Sequence, residues 1–140
     1  MKPAPRHRVI QVAAGLVFKD GRVLVTRRRP RDTLGGLWEF PGGKCERGET
    51  FSQALRRELQ EELTIDVDVG PHVDTIDHDY PDCRVHIEFY RCRLRSGEPK
   101  AIGCAALAWV TAEELRHYPM PPADARLLKR LWNDPTLWID

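Results

Sequence analysis

Three carboxylates stand close together in one predicted helix. Residues 57–62, with the sequence RELQEE, belong to a helix that begins at Thr50. At roughly 100° per residue, Glu58, Glu61 and Glu62 project within an arc of about 100°. Carboxylates so close repel one another unless a cation lies between them, and hard divalent cations such as Mg²⁺ prefer oxygen ligands. The spacing therefore indicates one wall of a metal site.

An ordinary acidic surface explains this helix equally well when the helix is taken alone. Arg56 or Arg57 could pair with Glu61 on a solvent-exposed face. The segment before the helix favours the metal site, because residues 41–44 (PGGK) supply a bend whose backbone can approach a ligand or a metal closely. Taken alone, that bend would be a plain turn.

The elements that must position these groups begin with strands. Val9–Phe18 and Arg22–Thr26 are predicted strands joined by a turn at residues 19–21, where Asp-Gly tolerates positive φ. Residues 27–36 form a loop before a short strand at Leu37–Phe40. The central helix opens with a Thr50/Gln53 capping box. Its apolar residues recur every four positions, at Phe51, Leu55, Leu59 and Leu63.

The second half of the chain contains further strands and ends in a helix. Ile65–Val69 and Val85–Phe89 alternate as half-buried strands do, and the change of phase at Tyr90 predicts a bulge near Phe89-Tyr90. Ala106–Val110 is the last strand, and a Thr111/Glu114 capping box then opens a short helix. Ala123–Trp132 is predicted to be a terminal amphipathic helix, with Leu127, Leu128 and Leu131 facing inward. This order predicts a mixed α/β or α+β fold in one domain over residues 1–140.

Composition excludes several classes of protein. The chain has 140 residues, 22 Lys+Arg against 21 Asp+Glu, and 41% hydrophobic residues. The near-zero net charge excludes a coat for a nucleic-acid polymer, because that role needs a basic excess. No apolar run approaches the ~18–20 residues of a membrane span. The basic segment Met1–Arg8 leads into no signal-type apolar run, so a cytoplasmic location is expected. Four cysteines without a CxxC pair predict free thiols.

The fixed positions around the acidic helix resemble the Nudix box. They are Gly43, five residues, Glu49, seven residues, Arg57-Glu58-Leu59, one residue, Glu61-Glu62, one residue, and Thr64-Ile65. The family pattern has Gly where Thr64 stands, which weakens the helix C-cap and removes no metal ligand. The resemblance implies the Nudix fold, a mixed β-sheet sandwiched between helices. It also implies hydrolysis of a nucleoside diphosphate linked to another group.

The resemblance also implies roles for the box residues. Mg²⁺ or Mn²⁺ would be bound by Glu58, Glu61 and Glu62, with the carbonyl of Gly42 as a further ligand. Glu58 is the first choice for the general base. Arg57 would orient the carboxylates through charge-assisted bonds, and Glu49 would tie the loop to the helix. The identity of the base and the number of metal ions stay open.

Beyond the box, the chain is similar to the MutT branch of the family. The similar segments are residues 25–28 (VTRR), 38–44 (WEFPGGK), 79–82 (DYPD) and 121–124 (PPAD). The similarity implies that Arg28 contacts phosphates and that Tyr80 lies beside the base. The residues that would line the site are Glu39, Phe40, Pro41 and Gly42. The alternatives are an exposed charge at a strand end for Arg28 and a core-packed loop aromatic for Tyr80.

Two departures from MutT bear on the substrate. MutT has Asn where this chain has Asp124, and a carboxylate only accepts hydrogen bonds. Asp124 could accept from a guanine-type base or from the N4 amine of cytosine, or it could N-cap the terminal helix. The second departure is residues 101–108, which have no carboxylate where MutT carries a loop glutamate. Glu98 lies just outside that stretch and would be a weak substitute for that glutamate.

The expected activity is metal-dependent hydrolysis of a nucleoside triphosphate at its β-phosphorus, giving a nucleoside monophosphate and pyrophosphate. The MutT resemblance favours 8-oxo-dGTP, and a CTP-type or general (d)NTP pyrophosphohydrolase is the alternative. A nucleotide-sensing binding module is the non-enzymatic alternative, disfavoured because all the box glutamates are present. The expected partner is a small-molecule nucleotide, with no membrane, and the protein would be a monomer or a homodimer.

Overall fold

The computed structural model describes residues 8–139. Most of the basic segment Met1–Arg8 therefore lies outside the described residues, as does Asp140. The strands are β1 Arg8–Lys19, β2 Arg22–Arg27, β3 Trp38–Glu39, β4 Gly42–Lys44, β5 Asp66–Tyr80, β6 Cys83–Ser96 and β7 Ala106–Val110. The helices are α1 Phe51–Leu63, α2 Pro122–Ala125 and α3 Leu128–Asn133, with 3₁₀ helices at Glu114–His117 and Pro135–Trp138.

The strands form one mixed sheet in the order β3-β2-β1-β6-β5, with β4 paired to β1 and β7 paired to β2. Strands β1 and β6 run parallel from the Arg8/Cys83 pair to the Phe18/Arg93 pair. The other pairs are antiparallel. The predicted hairpin of β1 and β2 is confirmed, with Phe18 opposite Val23.

Both faces of this sheet are covered, so the molecule has two apolar cores. On one face, α1 buries the side chains of Ala54, Leu55, Leu59 and Leu63. On the other face, the C-terminal segment buries Leu127 and Leu131 against a cluster that includes Phe40 and Phe89. The expected mixed sheet between helices is confirmed. No helix in the described part of the chain is both long enough and apolar enough to cross a membrane.

The ends of α1 follow from side chains that the sequence specifies. Thr50 Oγ1 accepts from the Gln53 amide at 3.1 Å, and Gln53 Oε1 accepts from the Thr50 amide at 2.9 Å. This confirms the capping box. At the other end, Thr64 adopts the left-handed conformation (φ 59°, ψ 31°), and its N–H donates to the Gln60 carbonyl at 3.0 Å.

An irregularity near Phe89-Tyr90 is present, but its extra residue lies in the partner strand β5, between the His72/Tyr90 and Asp74/Phe89 pairs. The β5–β6 register also shifts between Asp66 and Val67 and between Val69 and His72, whereas the β1–β6 register is unbroken. The change of phase within β6 has another cause, because Phe89 packs in one core and Cys92 in the other. A strand covered on both faces buries side chains of both phases.

The structure differs from the predictions at the terminal helix and adds a strand at the predicted bend. Residues 123–132 do not form one helix, because the chain tightens to i→i−3 bonds from Leu127 N to Asp124 O and from Arg130 N to Leu127 O, and this separates α2 from α3. The bend at residues 41–44 contains β4, which pairs with β1 over residues 12–14. The Thr111/Glu114 cap does form, at 3.0 and 3.2 Å, but it precedes only a four-residue 3₁₀ helix.

Candidate active site

Glycine at the start of the box lets the acidic helix approach β4. A Cβ on Gly43 would lie 2.3 Å from Glu58 Cδ, so the carboxyl group packs directly on the backbone of β4. A Cβ on Gly42 would lie 2.0 Å from the Ala13 carbonyl oxygen of β1. The position of Gly42 therefore requires glycine, whereas a side chain at Gly43 would displace the Glu58 carboxyl group from its place beside the β4 backbone.

The guanidinium of Arg57 links the loop before α1 to the carboxylates of the helix. Its Nε and Nη2 donate to the two oxygens of Glu49 at 2.7 and 2.9 Å, and Nη2 also donates to the Lys44 carbonyl at 3.1 Å. Its Nη1 donates to Glu58 at 3.0 Å and to Glu61 at 3.2 Å. The hydrogen bond from Arg57 lowers the pKa of Glu49. Glu49 thus ties the loop to the helix.

Burial and crowding raise the pKa values of two helix carboxylates. Burial is the largest cause for Glu58, and Arg57 opposes it. The pKa of Glu62 rises to about 8, first because of burial and then because of the neighbouring charges of Glu58 and Glu39. Glu61 is different, since its side chain is 61% exposed and bonded to Arg57. The structure brings all three carboxylates to one side of α1 in three different environments.

A second polar group lies next to the first. Arg28 Nη1 donates to Glu39 Oε2 at 2.9 Å, with both side chains about three-quarters buried. Asp124 is 7% exposed, and its carboxylate accepts from the Phe40 amide at 3.2 Å. Burial and the charge of Glu39 raise the pKa of Asp124 to about 7. Glu39 connects the two groups, because its charge acts on both Glu62 and Asp124.

The structure corrects the alternative in which Asp124 caps the terminal helix. Helix α2 begins at Pro122 with Pro121 as its N-cap residue, so Asp124 is the third residue of the helix. Its carboxylate crosses to the Phe40 amide, 84 residues away in sequence, instead of to its own helix end. It is thus a buried carboxylate beside the β3–β4 connection.

Several residues predicted to line the site face the protein interior. The Phe40 ring is 2% exposed and packs edge-on against Phe89, with ring centroids 6.1 Å apart. The Pro41 carbonyl accepts from the Gly15 amide at 2.8 Å. Tyr80 packs on the same core as Phe40, and its hydroxyl accepts from the Ala123 amide at 3.2 Å. Phe40 and Pro41 therefore shape the site through their backbone atoms. Tyr80 is hydrogen-bonded to Ala123, the residue that precedes Asp124.

The sequence drew attention to residues 101–108 only for the carboxylate that they lack, and it did not predict that residues 100–105 contact the acidic helix. The amides of Ile102 and Gly103 both donate to the Glu62 carbonyl, at 3.1 and 3.0 Å. No sequence signal marks this contact, because the two segments are 40 residues apart and the stretch lacks a carboxylate. Glu98, the substitute that the sequence suggested, instead offers its backbone carbonyl to Thr64 Oγ1 at 3.5 Å.

The donor set can be tested against a divalent metal. Within residues 8–139, no three His, Cys, Asp or Glu side chains are grouped closely enough to hold an ion. Arg57 engages Glu58 and Glu61 in this conformation. The donors nevertheless fit Mg²⁺ in kind, since they are carboxylate oxygens with a backbone carbonyl nearby. Burial first, and neighbouring carboxylates second, raise the pKa of Glu62, and a divalent cation beside it would favour its charged form.

A separate groove lies away from this site. It has a volume of about 440 Å³ and is lined by Gly21, Thr111, Ala112, Glu113, Leu131, Trp132, Pro135 and Trp138. None of the predicted catalytic, metal or substrate residues lines it. The carboxylate site is preferred as the functional site because its chemistry, rather than its concavity, is specific.

The family model for the NUDIX domain matches residues 13–130 of the chain. The chain belongs to the NUDIX family. It is 37% identical over 122 residues to the CTP pyrophosphohydrolase of Escherichia coli. The matched residues cover 87% of this chain and 90% of that protein. It is 35% identical over 128 residues to the 8-oxo-dGTP diphosphatase of Haemophilus influenzae, covering 91% and 94% of the two chains.

A solved NUDIX structure has the same fold. The crystal structure of a MutT NUDIX hydrolase from Burkholderia pseudomallei superposes with a TM-score of 0.81 at 26% identity, covering 89% of this chain and 99% of that one. The predicted Nudix family, MutT-like branch and fold are thus confirmed. NUDIX hydrolases act on small nucleotide substrates and generally depend on a divalent metal.

Proposed function

We propose that this NUDIX protein hydrolyses nucleoside triphosphates to a nucleoside monophosphate and pyrophosphate, with 8-oxo-dGTP as its main substrate. One observation supports this most: the β3–β4 connection joins two adjoining groups, because Gly43 packs on Glu58 and the Phe40 amide donates to Asp124. The helix carboxylates beside Gly42-Gly43 suit a metal–phosphate complex. The buried group of Arg28, Glu39 and Asp124 suits the remainder of a nucleotide. In this proposal, residues 1–140 form a single domain.

The chain's own residues are assigned as follows. Glu58, Glu61, Glu62 and the Gly42 carbonyl would hold Mg²⁺ or Mn²⁺, and Arg57 would keep Glu58 and Glu61 oriented. When bound, such an ion neutralises phosphate charge and lowers the pKa of a bound water. Arg28 contacts the phosphates, and Tyr80 and Asp124 lie toward the base.

Glu58 is assigned as the general base. Burial raises its pKa above the usual range for a glutamate, which brings its basicity closer to neutral pH. It takes a proton from water as the water oxygen bonds to the β-phosphorus. The bond from the β-phosphorus to the α–β bridging oxygen breaks, and that oxygen leaves with the nucleoside monophosphate. Positioning and electrostatics supply most of the catalysis.

A CTP-type pyrophosphohydrolase is the second candidate, supported by a specific residue. Asp124 replaces the asparagine of MutT, and an ionised carboxylate there accepts from the N4 amine of cytosine. The relative named CTP pyrophosphohydrolase is also among the most similar proteins, at 37% identity. Both candidates use the same metal-binding and phosphate-binding residues. They differ in the nucleobase of the substrate.

Initial rates on 8-oxo-dGTP, dGTP, CTP, 5-methyl-dCTP and ADP-ribose, with the products identified, test the proposal. We expect kcat/KM to be highest for 8-oxo-dGTP, with monophosphate and pyrophosphate as products. A value for 8-oxo-dGTP no higher than for dGTP would overturn the role in removing oxidised nucleotides. A maximum at CTP would support the second candidate. Activity should vanish in excess chelator and return with Mg²⁺, and full turnover in chelator would refute the metal site.

A further inference from the structure

The segment of residues 100–105, here called the clip, joins two parts of the site that are distant in sequence. On one side it closes over the C-terminal end of α1. The Lys100 amide donates to the Leu63 carbonyl at 2.9 Å, and the Ile102 and Gly103 amides converge on the Glu62 carbonyl at 3.1 and 3.0 Å. The clip therefore fixes the backbone of a proposed metal ligand.

Gly103 also contacts the side chain of that ligand. A Cβ on Gly103 would lie 3.0 Å from Glu62 Cγ and 3.2 Å from Glu62 Cβ. It would also lie 3.1 Å from Glu62 Cα. These distances are shorter than ordinary van der Waals contact, so a methyl group at Gly103 would shift Glu62, both backbone and side chain, relative to the clip. The bare backbone of Gly103 thus sets how far the Glu62 side chain can turn in that direction.

On its other side the clip is held by the arginine-rich segment after β2. Arg29 Nη2 donates to the Ile102 carbonyl at 2.6 Å, and the Ala105 amide donates to the Arg27 carbonyl at 2.9 Å. The Ile102 side chain is 55% exposed. Polar contacts therefore hold the clip at Ile102, while Cys104 packs against the α1 core.

We propose that Arg29 and Gly103 are positioning residues for Glu62. Arg29 anchors the clip through the Ile102 carbonyl, and Gly103 holds the Glu62 side chain in the orientation that a divalent ion requires. The inference rests on the proposed function, because that function makes Glu62 a metal ligand. It gives Arg29 a role that does not depend on contact with nucleotide phosphates.

Mn²⁺ binding to the full chain without nucleotide tests this role, measured by electron paramagnetic resonance or by calorimetry. Gly103→Ala should weaken Mn²⁺ binding about 10-fold, as changes to groups that orient a metal ligand usually do. Arg29→Ala should weaken it about 5-fold, a typical size for coupling through an intermediate segment. Arg31→Ala is the matched control, because it removes the same charge from the same exposed loop and should leave binding unchanged.

A double variant tests whether the two residues act through the same clip. If they do, Arg29→Ala combined with Gly103→Ala should bind Mn²⁺ about as Gly103→Ala does alone, and the two effects will not add. Independent effects that add fully would overturn the shared clip. Hydrogen exchange supplies a structural check, since Arg29→Ala should speed exchange of the Ile102 and Gly103 amides and Arg31→Ala should not.

Two results would overturn the inference while leaving the proposed function intact. One is wild-type Mn²⁺ affinity in Arg29→Ala with a raised KM for the nucleotide, which would make Arg29 a phosphate contact. The other is wild-type affinity in Gly103→Ala. Glu62→Gln distinguishes failure of this inference from failure of the proposed function. Undiminished Mn²⁺ binding in that variant would refute the proposed metal site itself. Thermal unfolding of each variant verifies that it is folded. If Gly103→Ala is unstable, Arg29→Ala alone still tests the inference, because Arg29 is exposed and its replacement should leave the fold intact.

Discussion

Single residues in the site carry their negative charge in two different ways. Arg57 compensates Glu49, Glu58 and Glu61 through hydrogen bonds of 2.7–3.2 Å. For Glu62, burial and neighbouring carboxylates raise the pKa to about 8, and Arg28 opposes this shift less strongly. The protein's own groups thus compensate the charged form of Glu62 poorly, which agrees with the proposal that Glu62 binds a metal ion.

Replacement of these carboxylates by their amides tests the catalytic assignment. Glu61→Gln and Glu62→Gln should each lower kcat by about two orders of magnitude, the upper range for loss of a metal-site group, while the fold stays intact. Steady-state kinetics with far-UV circular dichroism measures both. Glu98→Gln is the matched control, because Glu98 is exposed and should be dispensable. Near-normal turnover in Glu62→Gln would contradict the assignment.

Among the structural elements, α1 is defined by both of its ends. The Thr50/Gln53 box satisfies orphan amides at the start. At the end, Thr64 occupies a left-handed conformation that is costly for a β-branched residue. The sequence departs from the family pattern at this residue, and the structure shows that the departure changes cost rather than geometry.

Thr64→Gly should therefore stabilise the protein. Relief of the left-handed strain is partly offset by the greater freedom of glycine in the unfolded chain, so a gain of about 0.5–1 kcal/mol in the free energy of unfolding is expected. Urea denaturation measures the change. Thr64→Ala is the control, since alanine keeps the left-handed penalty. Equal stability of the two variants would show that the strain is not the cause.

The β5–β6 hairpin contains a histidine between two carboxylates. His86 Nδ1 lies 2.8 Å from Asp77 Oδ1, and His86 Nε2 lies 2.8 Å from Glu88 Oε1. Both ring nitrogens can donate only in the imidazolium form. The hydrogen bond to Asp77 is the largest cause that raises the pKa of His86, and Glu88 adds to it.

The hairpin should therefore depend on pH. Because the folded-state pKa of His86 is raised, its stabilisation is complete below about pH 6.5, the unfolded value, and is lost as pH rises through the folded value. Partly exposed pairs of this kind are worth about 1 kcal/mol. Denaturation of wild type and His86→Gln at pH 5.5 and 9 should show the larger difference at pH 5.5. A larger His86 effect at pH 9 would disprove the sign.

At the scale of the whole molecule, two cores hold the site between them. The α1 core positions the carboxylates, and the second core positions Phe40 and α2, and hence Asp124. The NUDIX fold thus brings the acidic helix α1 and the buried carboxylate of Asp124 together from opposite faces of one sheet.

The C-terminal segment should be essential to the second core. Leu127 is fully buried there, whereas Leu128 is partly buried at its edge. Leu127→Ala should cost about 2–5 kcal/mol of unfolding free energy, through lost burial and the cavity left behind. Leu128→Ala, the matched neighbour, should cost clearly less. Thermal or urea unfolding distinguishes them, and equal losses would mean that both leucines face the core.

The sequence by itself determined the features that depend on near neighbours. The arc of Glu58, Glu61 and Glu62 and the capping box follow from helical periodicity and side-chain type. The β1–β2 hairpin follows from its Asp-Gly turn. The family box, local in sequence, was also sufficient for the family, which the comparisons confirmed. Each of these depends on interactions within a few residues.

Only the tertiary structure decided which distant groups meet. The Asp124 carboxylate bonds the Phe40 amide 84 residues away, and the clip bonds the Glu62 carbonyl. Residues 42–44 form a strand because β1 offers a free edge to pair with. Local propensity cannot specify such contacts, because their energy arises when the whole sheet packs and buried polar groups must find partners.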